Sequence, residues 1–178
     1  MPTTPTLSSM EKLRSVFERT RTALKKRSTL GKGTATTRAT IRDGLTCEVE
    51  DGRWSFVADL SEKAGGGGEG PDPGVLGRAA LGSCLAVGYV IWASYRGVPL
   101  SSVQVEVEAD YDVRPQYGVG ESSPAYQAIR CVVHVESPAP EEDVRAVLEE
   151  AEAHSPYLAL FRDPQEVSRE VRFTPGGD

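Results

Sequence analysis

The residues of this chain that could do chemistry are few. Three cysteines, Cys47, Cys84 and Cys131, and two histidines, His134 and His154, are spread over 178 residues. No CxxC pair or Cys/His cluster has metal-ligand spacing, so neither a metal centre nor a disulfide framework is expected. No phosphate-binding loop or dinucleotide fingerprint occurs, and no cofactor is expected. Reduced thiols in a cytoplasm fit this pattern best. Cys84 stands out by its setting in AALGSC (79–84), followed by LAVGYVIWASYRG. A thiolate there could attack an electrophile, whereas a thiol as small and apolar as this one could equally fill space in a packed helix. Cys47 and Cys131 fall in strand patterns without a motif and read as structural. Ser155 follows His154, but adjacent side chains seldom meet as nucleophile and base, and a helix cap accounts for the serine. Trp54, Tyr89 and Trp92 either line an apolar pocket or pack in the core.

Charge divides the chain that must hold these groups. Residues 1–42 carry ten Lys/Arg against Glu11 and Glu18, about +8; the remainder carries ten basic and 24 acidic residues, about -14. From Ser9, a plausible N-cap, Met10, Leu13, Val16, Phe17 and Leu24 recur at helical spacing among basic residues. Residues 1–35 therefore read as a basic amphipathic arm, opened by a disordered MPTTPTLSS, and 36–178 as the main domain. The arm's stripe must cover the body, a second subunit or an anionic surface. It lacks the aromatic interleaving of a nucleic-acid binder. No apolar h-region with a cleavage site precedes it, so secretion is not expected.

The body alternates short elements. Strands are expected at about 36–42, 45–50 and 54–59, with Asp43-Gly44 and Asp51-Gly52 marking tight hairpins. KAGGGGEGPDPG (63–74) is a loop, and Pro73 opens a helix that runs to about Arg96 and is apolar on nearly every side. Its uncharged core, Ala79–Ser94, is shorter than the roughly 20 residues of a membrane span, so a buried helix is expected. Alternating strands follow at 102–113 and 126–137. A helix carrying Val144, Val147, Leu148 and Ala151 comes next, then a short helix opened by Ser155-Pro156, and a last strand at 166–173. The class is α+β. One half-covered sheet could not surround so apolar a helix, but a symmetric dimer could.

GVLGRAALGSCLAVGYVIWASYRGVPLSSVQVEVEADYD (74–112) and ESPAPEEDVRAVLEEAEAHSP (136–156), taken in this element order, resemble the OsmC/Ohr family of osmotically inducible and organic-hydroperoxide-resistance proteins. The resemblance runs from about 36 to 173. It implies an intertwined homodimer with two β-sheets wrapped around central helices. It also implies a thiol peroxidase that reduces organic hydroperoxides with two cysteines. The first maps onto Cys84; the second precedes a proline where this chain has Ser155-Pro156. The family's acid just after the loop proline is Gly74 here, with Glu69 a loose substitute. Its activating arginine comes from the first strand region, where Arg42 is favoured over Arg38.

With no second sulfur near it, a sulfenic acid formed at Cys84 must be reduced by an external thiol. The implied function is thus a one-cysteine, thiol-dependent peroxidase. The alternative is a non-catalytic relative whose dimer interface binds a small hydrophobic ligand.

Overall fold

Two glycines close the turns of the first sheet. In the computed structural model, which describes residues 7–175, β1 (Arg38–Ile41), β2 (Cys47–Asp51) and β3 (Trp54–Ala58) form an antiparallel sheet in that order. Asp51 pairs with Trp54, leaving Gly52-Arg53 as a two-residue hairpin loop with Gly52 at φ +56°. That angle costs a glycine nothing and would strain other residues. One face carries Ile41, Val49, Phe56 and Ala58; the other carries the charged neighbours Arg38 and Glu50. The apolar face is sealed only in part, since Val49 and Ala58 are buried while Ile41, Phe56 and Trp54 are exposed.

The loop behind this sheet is organised by Asp59. Its carboxylate accepts the amides of Leu60 (2.7 Å), Gly67 (3.0 Å) and Glu69 (3.3 Å) and the hydroxyl of Thr46 (3.2 Å). The glycines permit close approach: a Cβ on Gly66 would stand 2.1 Å from the Leu60 carbonyl oxygen, and one on Gly70 2.2 Å from that of Val57. Asp72 then caps the central helix α2 (Pro73–Arg96) by accepting the Val75 amide at 2.9 Å, with Pro73 at the first helical position. Such a cap contributes about 1 kcal/mol. Gly97, at φ +73°, ends the helix.

Strands β4 (Ser102–Asp110) and β5 (Ala128–Glu136) form a second antiparallel pair. Val103, Val105 and Val107 on β4, with Ile129, Cys131 and Val133 on β5, face the core, while Glu106, Glu108 and Arg130 face water. The pair lies against α2 at Gly82, where an added Cβ would come within 3.3 Å of Val107. Helix α3 (Glu141–Ala153) packs Val144, Val147 and Ala151 against Leu81, Leu85, Tyr89 and Trp92. Its first turn, Glu141, Glu142 and Asp143, suits the positive end of the helix dipole. Only His154 and Ser155 separate α3 from helix α4 (Pro156–Arg162).

The N-terminal helix α1 (Leu7–Lys26) begins two residues before the expected cap, Ser9. It docks on the end of α2 through Phe17, whose ring lies 5.2 Å from Trp92 and 4.8 Å from Tyr95. Arg21 sits over the Tyr95 ring and donates to its hydroxyl. The expectations for MPTTPT and for the final residues of the tail lie outside the described residues.

Two expectations need correction. The segment 166–173 forms no strand; Val167, Val171 and Phe173 are 89%, 72% and 84% exposed. Its alternation suits a strand, but no strand edge of the described chain pairs with it, and an unpaired ribbon gains no ladder bonds. The second concerns length: α2, at 24 residues, is long and apolar enough by length and composition to cross a membrane, while its incomplete enclosure by a single chain is as expected. Leu81, Leu85, Tyr89 and Trp92 nevertheless belong to the packed core. The opposite side of α2, along Val75, Ala79, Ser83 and Val87, is open.

Candidate functional site around Cys84

The motif AALGSC distributes its residues by helical geometry. Leu81 enters the core, Gly82 admits β4, Ala79 and Ser83 face the open side, and Cys84 points toward the junction of α3 and α4. There its Sγ lies 3.6 Å from the Ser155 hydroxyl oxygen. Ser155 is buried and caps α4: its oxygen accepts the Leu158 amide at 3.3 Å, and Pro156 takes the first helical position. The cap expected from the sequence is present. Its contact with Cys84, 71 positions away, is not visible in the sequence.

Cys84 is half-buried and about three turns into α2, too deep for the helix dipole to act on it strongly. Cys131 lies on the inner face of β5 opposite Val107. Burial, and then the negative charge of Glu152, push its thiol up from the ordinary range, with Arg162 opposing. That makes it a weak nucleophile at neutral pH. Cys47 pairs with Ile41 and Ala58 in the first sheet. All three thiols are free.

The arginines expected at Cys84 are engaged elsewhere within the single chain. Arg42 lies 3.9 Å from Glu48 and Arg38 3.7 Å from Glu50, both on the solvent side of the first sheet. Cross-strand register sets these pairs, since Arg38 sits directly opposite Glu50. At Gly74, a Cβ would meet Arg78 Nη1 and the Tyr126 hydroxyl, each at 3.3 Å. Arg78 donates to that hydroxyl at 3.2 Å. The Glu69 amide is bound by Asp59.

Of the three aromatics, Tyr89 and Trp92 are core and Trp54 is 66% exposed, stacked beneath Arg53 at 4.7 Å. His154 packs its ring 4.5 Å from Trp92 and lies 2.8 Å, at Nδ1, from the Glu150 carbonyl oxygen. A Ser155–His154 nucleophile pair is therefore not formed. Asp59 read from the sequence only as the end of a strand, and its one further signal was an acid four residues before a glycine-rich loop.

Solved structures share this fold. The OsmC-like protein of Mycoplasma pneumoniae superposes with a TM-score of 0.64 at 11% identity, over 74% of this chain and 89% of its own. An organic hydroperoxide resistance protein, OsmC, of Legionella pneumophila does so at 0.54 and 17%, over 73% and 90%. One from Elizabethkingia anophelis, with crystallant-derived thiocyanate bound, does so at 0.55 and 16%, over 75% and 91%. At such identities the likeness concerns the fold. No curated protein is significantly similar in sequence. The family model described as OsmC-like protein matches residues 66–170, the stretch from the glycine loop through Cys84 and Ser155 to the tail, and the chain belongs to that family.

Proposed function

We propose that this protein is a cytoplasmic homodimer that reduces organic hydroperoxides with one cysteine, Cys84, and an external thiol. The observation that carries the reading is the contact between Cys84 and Ser155. It supports the assignment of these positions to the family's first and second cysteines. The Cys84 thiolate attacks the distal peroxide oxygen of ROOH; the O–O bond breaks, an alcohol leaves with one proton, and the sulfur becomes a sulfenic acid. A thiol R′SH then displaces water to give a mixed disulfide. A second R′SH releases the Cys84 thiol and R′SSR′. Arg42, or failing it Arg38, is the donor we assign to the leaving oxygen. Both sit on an exposed sheet that a second copy can bring to the open side of α2.

The test is stoichiometric cumene hydroperoxide followed by intact mass and a sulfenic-acid probe. Rapid, selective oxidation at Cys84, absent from C84S, is expected; oxidation no faster than at Cys47 or Cys131 would overturn the assignment. The outcome then favoured is a non-catalytic dimer holding a small hydrophobic ligand, a reading supported by the pairing of both arginines with glutamates. Binding of a fluorescent apolar probe that survives C84S would mark it.

A further inference from the structure

We propose that Ser155 is a positioning residue for Cys84: its hydroxyl donates to the sulfur, and its oxygen stands where a resolving sulfur would have to be. This inference rests on Cys84 being the reacting group. Ser155 is held at every polar atom. Its amide donates to the Glu152 carbonyl at 3.1 Å, its carbonyl accepts the Ala159 amide at 3.0 Å, and its hydroxyl oxygen accepts from Leu158. With the oxygen accepting, the hydroxyl proton remains to be placed, and Cys84 Sγ at 3.6 Å is the partner it meets. The residue is 7% exposed, so water competes weakly for that proton.

Two consequences follow. In the attacking thiolate form the O–H···S contact is charge-assisted, and holding the sulfur in one orientation speeds attack on an electrophile that reaches its open side. It also fixes the sulfur toward the α3–α4 junction and leaves the side away from it open to reactants. After oxidation, an alcohol oxygen cannot displace hydroxide from the sulfenic acid under mild conditions as a thiolate does, so no internal bond closes. The sulfenic acid waits for the external thiol.

The measurement is the rate of iodoacetamide labelling of Cys84 at neutral pH, followed by mass spectrometry, which does not depend on peroxidase activity. Ser155→Gly retains most of the capping preference and removes the hydroxyl; Ser155→Thr retains both. Labelling about two- to threefold slower in S155G, roughly half the effect of one ordinary hydrogen bond because a bonded sulfur is also a weaker nucleophile, and returning to the wild-type rate in S155T, is the expected result. Equal rates in wild type and S155G would overturn the proposal. In S155C, hydroperoxide should instead give an internal disulfide between positions 84 and 155, read as the loss of two hydrogens per chain. Failure to close it under excess oxidant would show that the two positions do not meet, and would also overturn the proposal. If wild-type Cys84 consumes no hydroperoxide but the labelling difference persists, the peroxidase reading falls and the positioning role stands.

Discussion

The Tyr89 hydroxyl, wholly shielded from solvent, donates to Glu152 Oε1 at 2.9 Å and ties the middle of α2 to the last turn of α3. Ser155 follows that turn by a single residue pair, so this bond also supports the segment that carries the serine to Cys84. Burial first, then the hydrogen bond and the charge of Glu152, push the Tyr89 hydroxyl far above its ordinary value. Tyr89→Phe should destabilise the protein by about 1–2 kcal/mol, lowering Tm by several degrees in a thermal melt. The tyrosine contribution is complete below the ordinary tyrosine value of about 10 and is lost as pH rises above it. The stability gap between wild type and Y89F should therefore narrow as pH rises above about 10, because only wild type carries a phenol whose ionisation favours the unfolded chain. A Y89F protein that melts with wild type would count against this.

Asp59 gives the opposite pH dependence. Burial raises its affinity for a proton, but the amides of Glu69, Leu60 and Gly67 and the Thr46 hydroxyl outweigh burial and hold the carboxyl below the usual range. Its stabilisation is present above the ordinary aspartate value of about 3.9 and is lost as pH falls through the lowered one. Asp59→Asn sets an NH2 group among amide donors. Protection factors across residues 60–70, which remove the intrinsic pH dependence of amide exchange, should fall in D59N at pH 7 and in wild type at strongly acidic pH. Unchanged exchange in the variant would refute the loop-organising role.

Val87 tests the dimer. It is 59% exposed on the open side of α2, in line with Val75, Ala79 and Ser83. Val87→Arg should convert a two-chain species into a one-chain species by light scattering, with loss of the hydroperoxide reaction if the partner supplies Arg42. A two-chain mass retained in V87R would place the interface elsewhere.

Phe17 fixes the arm. Phe17→Ala removes the ring between Trp92 and Tyr95, at a cost of about 1–3 kcal/mol for a half-buried aromatic. Trp92 fluorescence should shift to the red and exchange in α1 should rise. Deleting residues 1–30 should give the same red shift of Trp92 and leave a folded body, because Leu81, Leu85 and Val147 pack without α1. Aggregation of that deletion would make α1 part of the core.

The sequence by itself determined the local elements. Asp-Gly pairs, Pro73 and Ser155-Pro156 set turns and caps through backbone preferences of a few residues, and alternation in SVQVEVEA marked β4. The AALGSC motif placed Cys84 on α2 for the same reason: helical periodicity is a local property. It also determined that α2 is too apolar to stand alone.

Only the tertiary structure decided which side chains meet. Cys84 reaches Ser155 because α3 folds back across α2 on Val144, Val147 and Ala151, a packing event with no signature at either residue. Arg38 pairs with Glu50 through strand register, which shifts every partner with each residue of slip. Residues 166–173 illustrate the limit from the other side. Alternation records a preference for a strand, but a strand exists only where another edge lies within hydrogen-bonding reach, and that is a fact of three dimensions.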